Sequence, residues 1–539
     1  MKKYIKNNIV VFSIVIAIFT IGLVNKTFQN DTFFNISIGD QVLKNGIDMK
    51  EHFCWVDDNL EYTYSHWAFD ILMYKLYSTF GFAGIYIFTI IFSVLTSVTL
   101  YVLLAKRTKS PFVAMLVALL TTYMACGAYA ARAQIISFIC FIIEIYCIER
   151  FIETNKKRYA ITIIGLAIII ANFHAATWPL VLVLFMPYLG AAFINFVSVK
   201  NLSQKYIKYL QKKKEKLPKD SPKIAEYEKD IEYYEKIASS KNEMFEYKFV
   251  KKEDYNTRNL VILILIVLFT GLISPSNSTP YTYILKSMFG QSNFEGYASI
   301  DFINEMKPAI LATNVTLMIS LIFFIVLFLL PTKIKLEHIF LIGGLMLMGI
   351  MSNRYAFLLA FLGSFVLGDL LFQLFNIATE NKMDLLEDIL SHWFIYIGLV
   401  VIIGIFSYNN IIEQLDKEYV DRMIYPVAAT EFIKENIDYK NMRIYNSYNI
   451  GSYLMLNDIP VFIDSRLDVY CSEFNDTDIF YDYIQVSKGL KHYDDVFEKY
   501  DFTHILLEKD EPAELYIKYD EDYKAIYSDE VFVLYEKIN

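Results

Sequence analysis

The chain has 539 residues, 55% hydrophobic and 20% charged, with a formal net charge of −9. That composition is too apolar for an ordinary soluble enzyme and indicates a polytopic α-helical membrane protein. The acidic balance argues against nucleic-acid binding, no zinc or P-loop pattern occurs, and none of the five cysteines has metal-ligand spacing.

Residues 1–25 place Lys2, Lys3 and Lys6 before an apolar run that lacks a small-residue cleavage site, which reads as an uncleaved signal anchor. Further apolar runs follow at 82–105, 111–129, 133–150, 159–172, 176–197, 259–274, 309–330, 337–351, 355–374 and 393–408, for about eleven spans. Basic loops at Lys106–Lys109, Lys156–Arg158, the Lys-rich segment 198–258 and Lys333–Lys335 alternate with loops poor in Lys and Arg. The positive-inside rule then puts the N-terminus and these loops in the cytoplasm and the others outside, provided that 337–351 and 355–374 are separate spans.

Residues 1–410 therefore read as a transmembrane module whose first external loop, 26–81, carries interfacial helices. In that loop Phe34, Ile38 and Val42 recur at helical spacing, which suits a short helix with its apolar face in lipid. Residues 198–258 alternate Lys and Glu around Pro218 and suit a cytoplasmic helical hairpin, a solvated spacer or docking arm. Residues 411–539 read as an external, soluble, small α/β domain. Its strands are expected at 442–446, 460–463, 503–507, 523–527 and 531–536, with helices at 427–436, 449–456, 476–488 and 492–500. Cys54 and Cys471, the two cysteines in polar segments, are expected to react with an impermeant thiol reagent from outside.

The external side collects polar residues that are costly near a bilayer. Asp31 lies where the first span emerges; it is either a functional carboxylate or an N-cap. Arg132 and Arg354 lie in short external turns, against the charge bias of such loops, and each either meets an anion such as phosphate or snorkels to headgroups. His66 and His174 share that side and are either hydrogen-bonded structural residues or substrate-positioning groups. Glu305 is a second carboxylate for the site, or the partner of Lys307 or an arginine. Asp464 and Arg466 end the run at 460–463. An internal bridge that orders the loop explains them, and a substrate role is the alternative, since α/β units bind ligands at strand ends.

The segments Asp31–Gly39, Tyr64–Trp67, Arg132–Gln134, Asn172–Ala176, Asn353–Ala356 and Val461–Tyr470, in that order and spacing, resemble the GT-C glycosyltransferase superfamily. The resemblance is to a bacterial branch related to protein O-mannosyltransferases and lipid A aminoarabinose transferases, and it runs over nearly the whole chain. It implies many membrane helices, an Asp just after the first span and a soluble external C-terminal domain. The chain departs from the pattern at Phe33-Phe34-Asn35, where relatives have Trp-Trp-His, and at Ala133-Gln134, where Pro-His is usual. Any role for a histidine at position 35 or 134 is absent here, and the insert at 198–258 is extra.

Nucleotide sugars are cytoplasmic, so an external site needs a donor carried across on lipid. A polyprenyl-phosphate sugar presents its phosphate at headgroup level, where Arg132 and Arg354 are expected to hold it. Asp31 is expected to take the proton of an acceptor hydroxyl on an envelope glycan, lipid or protein, and no cofactor is required, although a divalent metal is compatible with the reading. The alternative is a non-catalytic transporter or flippase for polyprenyl-linked or anionic lipids, or an envelope-assembly scaffold. Transporters place ionisable groups near the midplane and show repeats, whereas these cluster at one surface and no repeat is visible.

Overall fold

The long apolar runs fold as helices, that at 176–197 as two, Trp178–Val183 and Met186–Val197. The first are α1 (Lys2–Ile21), α2 (Asn30–Asn45), α3 (Trp67–Thr108), α4 (Pro111–Met124), α5 (Gln134–Thr154) and α6 (Lys157–Phe173). The computed structural model describes residues 2–538 except 58, 198, 219–220, 222, 240–248, 251–256, 277, 311–313, 381 and 391. Local chemistry sets the boundaries. Ser110 caps α4 by accepting from the Val113 N–H, with Pro111 in its first turn. α3 breaks at Gly81, whose φ of 62° a side-chain-bearing residue resists, so a separate N-terminal arm, Trp67–Phe80, leads into the apolar span.

Among the described residues, Trp67–Thr108, Ala175–Ile194, Asn353–Ala378 and Trp393–Asp416 are long and apolar enough to cross a membrane. The outer face of the last helix leaves Ile402 and Ile405 66% and 61% exposed, a perimeter that suits lipid rather than water. The runs at 337–351 and 355–374 are distinct helices, Leu336–Met351 and Ala356–Ala378, joined by the turn Asn353–Tyr355. In the charged insert, helices Val199–Lys214 and Lys223–Ser239 form a hairpin in which Lys214 pairs with Glu228 and Tyr206 packs on Tyr234 at 4.8 Å. The rest of that predicted hairpin, 240–248 and 251–256, lies outside the described residues. Its return strand β1 (Phe249–Val250) runs parallel to β2 (Ile334–Lys335).

The C-terminal unit is a four-stranded sheet of β3 (Ile444–Asn446), β4 (His504–Glu508), β5 (Tyr523–Ser528) and β6 (Phe532–Lys537), in the order β3-β4-β6-β5. β3 and β4 are parallel and the other pairs antiparallel. Helices Val427–Asn436, Tyr448–Leu456, Ile479–Ser487 and Asp494–Tyr500 stand where the periodicity predicts them. The run at 460–463 is a correction, because it is not a strand of this sheet. Val461 instead forms a parallel bridge with Cys54, and the Trp55 N–H donates to the Val461 carbonyl at 3.1 Å. A β-branched run predicts extended backbone but not its partner, which here is the segment following α2.

Two further expectations are overturned for the same reason. The apolar face of α2 does not lie in lipid: Phe34, Ile38 and Val42 are buried in the core of the α/β unit, with Tyr62, Tyr64 and Leu454. Cys54 and Cys471 are also buried in that core. Burial, with the neighbouring Glu51 and Glu473 carboxylates, pushes their thiols far above the ordinary range. Neither is a usable surface reporter.

The segment after α2 is fastened to the α/β unit by a buried ion cluster. Arg466 Nη1 and Nη2 donate to Glu51 at 2.6 and 2.9 Å, its Nε and Nη2 donate to Asp464 at 2.9 and 2.6 Å, and the Tyr470 hydroxyl donates to Asp464 at 2.5 Å. Glu51→Ala should leave the Arg466 guanidinium buried and half-paired, at a cost of about 3–5 kcal/mol. The expected readout is a lower thermal midpoint and faster proteolytic release of the C-terminal unit from purified protein; an unchanged midpoint would rule out a fastening role. Cys54 and Cys471 should stay unlabelled by a maleimide until denaturant is added.

Candidate active site

Five chain segments meet where the bundle abuts the α/β unit. They are the start of α2, the turn 130–134 between α4 and α5, the turn at His174 after α6, the loop before Asn314, and the turn Asn353–Tyr355. Backbone bonds hold them together. Thr32 Oγ1 donates to the Ala131 carbonyl at 3.2 Å, the Arg354 N–H donates to the Glu305 carbonyl at 3.0 Å, and the Asn353 N–H donates to the Lys307 carbonyl at 3.0 Å. The Ala175 N–H donates to the Ser65 carbonyl at 2.6 Å. The loop leading to Glu305 is also anchored to the α/β unit, since Ser299 donates from N and Oγ to Glu473 at 2.6 and 2.7 Å.

Asp31, Arg132 and Glu305 form one constellation. Arg132 pairs with Asp31 through Nη2, and through Nη1 with Glu305 at 2.8 Å. Asp31 is not the cap of α2, because Gln29 holds that position and makes no side-chain cap bond. The anion that an arginine in this turn requires thus comes from within the chain, doubly. Burial alone would lower the Arg132 proton affinity, and the two carboxylates raise it instead. For Glu305, burial pushes the carboxyl up, but Arg132 and then Arg354 bring it below the ordinary range. Lys307 points elsewhere, to Asn304 Oδ1 at 3.0 Å.

Arg354 differs. It is half-buried, and among the described residues no hydrogen bond or ion pair engages its guanidinium. Its charge is felt at Glu305, His174 and Tyr283. An uncommitted guanidinium beside a bundle mouth is a ready anion site.

The two histidines face each other with ring centroids 6.4 Å apart. His174 is buried and its Nδ1 shares a 2.9 Å hydrogen bond with Ser137 Oγ; burial first, then the charges of Arg354, His66 and Arg132, hold it well below the usual range, so it is neutral. His66 is bonded to Asp70. Asp464 and Arg466, by contrast, belong to the buried cluster that fastens the α/β unit and are 0% and 1% exposed at their side chains.

Sequence reasoning missed Asp468, Asp70 and Glu51. Asp468 is 7% exposed at the edge of the α/β unit and acts electrostatically on His66, Tyr283 and Tyr448. Burial pushes its carboxyl up to about 6, against the pull of Arg466 and His66. The signal was available in Asp464-Ser465-Arg466-Leu467-Asp468, where one arginine is flanked by two acids and cannot neutralise both equally. Among the described residues no group of three or more His, Cys, Asp or Glu side chains is placed to hold a metal. A divalent ion bridging Asp31 and Glu305 would have to displace Arg132.

The raised Asp468 carboxyl implies a pH-dependent stability term. A group whose folded pKa exceeds its unfolded value stabilises fully below the unfolded value and loses that contribution as pH rises through the folded one. Asp468→Asn should therefore stabilise the protein at pH 7, by on the order of 2 kcal/mol, with the gain fading between about pH 6 and pH 4. Thermal unfolding of both proteins across that window checks it; a gain independent of pH would refute the titration.

No protein-family model matches the chain, and no curated protein matches it. Solved structures do. The apo crystal structure of the Archaeoglobus fulgidus oligosaccharyltransferase aligns with a TM-score of 0.52 at 12% identity, covering 93% of this chain and 69% of that one. The same organism's oligosaccharyltransferase AglB, in complex with an inhibitory peptide and a dolichol-phosphate, aligns with a TM-score of 0.51 at 10% identity over 93% of this chain and 69% of that one. At such identities the likeness is one of architecture. It extends over the bundle and the α/β unit together, and the chain shares the fold of these oligosaccharyltransferase structures.

Proposed function

We propose that this chain is a membrane glycosyltransferase that takes a sugar from a polyprenyl-phosphate carrier and joins it to a hydroxyl of an envelope glycan, lipid or protein. The observation that carries this reading is the Asp31–Arg132–Glu305 constellation beside the uncommitted Arg354, set where an apolar bundle meets a polar unit. The AglB complex, which holds a dolichol-phosphate and a peptide, supports a lipid-phosphate donor and makes a protein acceptor the first to test. The alternation of Lys- and Arg-rich loops along the sequence supports an external position for this face.

In the proposed reaction the acceptor oxygen attacks the anomeric carbon, its proton passes to Asp31, and the bond from that carbon to the phosphate oxygen breaks. The leaving polyprenyl phosphate keeps the bonding electrons, and Arg354 stabilises its charge. Arg132 moves from the phosphate role expected from the sequence to that of a fork orienting Asp31, because two carboxylates already neutralise it. Membrane lipid supplies the donor laterally to the bundle mouth. The departures at Asn35 and Gln134 leave no histidine at those positions, and His66 and His174 are the imidazoles at the site.

Asp31→Asn keeps size and hydrogen-bonding shape but removes the proton acceptor. Transfer from a labelled polyprenyl-phosphate sugar should fall by about two to four orders of magnitude, with donor binding retained. Arg354→Ala should instead weaken donor binding by roughly 2 kcal/mol. Full transfer by the Asp31 variant would end the general-base assignment, and transport of the lipid without release of polyprenyl phosphate would favour the carrier reading.

A further inference from the structure

The two imidazoles at the site are held in opposite ways. His174 is neutral and bonded to Ser137. His66 precedes α3, and its Nδ1 lies 3.0 and 3.1 Å from the two carboxylate oxygens of Asp70, which is fully buried one turn further on. The pair is built into the packing. At Gly39 of α2 a Cβ would stand 2.1 Å from the Asp70 carbonyl oxygen, so only glycine lets α2 lie this close. On the other side Ser65 is fixed by the Ala175 N–H. Among the described residues no hydrogen bond engages His66 Nε2, and 16% of the side chain is open. Asp70 is paired only while Nδ1 carries a proton; burial pushes its own carboxyl up, and a charged His66 opposes that push.

We propose that Asp70 is a positioning residue that keeps His66 an imidazolium, and that His66 Nε2–H is the second cation, with Arg354, of a site for the singly charged phosphodiester of a lipid-linked donor. The proposal rests on the reading of Arg354 given above. Both charges act on neutral His174, whose ring centroid lies 6.4 Å from that of His66. Arg132 cannot supply that second cation, being neutralised by Asp31 and Glu305. A phosphodiester needs one full charge opposite it and a second donor to fix its orientation, which an arginine and an imidazolium provide.

The groups facing His66 are Asp70 on α3, Asp468 from the α/β unit, Asp31 from α2 and the neutral His174. Burial alone would push His66 down; Asp70, then Asp468 and Asp31, reverse this and leave it raised. The charge therefore persists to higher pH than on an ordinary imidazole and is lost as pH rises through the raised value, and phosphodiester binding should follow it.

The test is calorimetric binding of farnesyl methyl phosphate, a monoanion with no ionisation of its own in this range, to the full-length protein in nanodiscs. Affinity should fall at least about ten-fold between pH 6 and pH 9, one pKa unit being worth that factor. His66→Gln should bind weakly and keep only the small fall near pH 6 that ionisation of Asp468 gives, and Asp70→Asn should move the main transition to lower pH by about one unit or more. Should Asp70→Asn fail to fold, Asp468→Asn should move it the same way by a smaller step. Arg354→Ala should weaken binding at every pH and keep the slope. A flat wild-type profile, or a His66→Gln variant that keeps the wild-type slope, overturns this inference alone while the Arg354 effect stands. Unchanged binding by Arg354→Ala overturns the phosphate reading on which it rests.

Discussion

Arg466 has 1% of its side chain exposed, and much of the site end of the molecule is arranged to keep it charged. Asp464 on its own loop and Glu51 from the segment after α2 take its guanidinium hydrogens, while Phe53 and Tyr62 cover its faces at 5.3 and 4.9 Å. A buried ion cluster of this kind is a poor source of net stability, because desolvating the charges offsets their attraction. Its value is directional. Glu51 also accepts from the Phe53 and Cys54 N–H groups at 2.6 and 3.0 Å, so the segment that engages Arg466 is held in one conformation and one register against Val461. That segment ends at His66. Fastening it to the α/β unit therefore sets the distance between His66, on the bundle side, and Asp468, two residues beyond Arg466.

The same economy of charge shapes the mouth itself. Asp31, Glu305, Asp70 and Asp468 bring four carboxylates to one small region, and they are not neutralised alike. Arg132 serves the first two, His66 serves Asp70, and Asp468 is left with partial attraction from Arg466 and His66 and rises in consequence. Among the described residues the cationic groups left uncommitted there are the Arg354 guanidinium and one edge of His66. A site in which Asp31, Glu305 and Asp70 are internally paired and the spare cationic groups are donors is organised to receive an anion, with little reorganisation when charge develops on it.

Which parts of this were legible in the sequence follows from what periodicity and residue cost can say. Apolar runs long enough for a bilayer located the helices, and short β-branched or aromatic runs located β3 to β6, because burial selects such residues regardless of partner. Asp31, Arg132, Arg354, His66, His174 and Glu305 stood out because an ionisable group near lipid is expensive wherever it points. Pairing was not legible. The face Phe34–Ile38–Val42 carries the same spacing whether lipid or protein covers it, and here protein does. Val461 pairs with Cys54 across most of the chain, and no local pattern encodes that. Asp70 and Glu51 sit in stretches whose composition is ordinary, and their meaning appears only once His66 and Arg466 are seen beside them.

The far end of the bundle explains how short turns can hold Arg132 and Arg354 to a useful precision. There Arg107, at the end of α3, donates to Asp369 through Nε and Nη2 at 3.0 and 2.9 Å, contacts His338 at 2.8 Å and pairs with Glu149, which also meets His338 at 3.2 Å. These residues lie on α3, α5, Leu336–Met351 and Ala356–Ala378. α5 runs from Glu149 to Gln134, next to Arg132, a rise of about 20 Å. The other two helices run from His338 and Asp369 to the turn that carries Arg354. A closed cluster at one end thus fixes the axial position of the rods whose other ends present the two arginines. A helix does not slide past its neighbours while a buried guanidinium ties it to them, since any shift would strand a charge. The polar groups at the two ends divide the work accordingly: those at the far end are satisfied among themselves and set geometry, and those at the mouth keep donors free for a ligand.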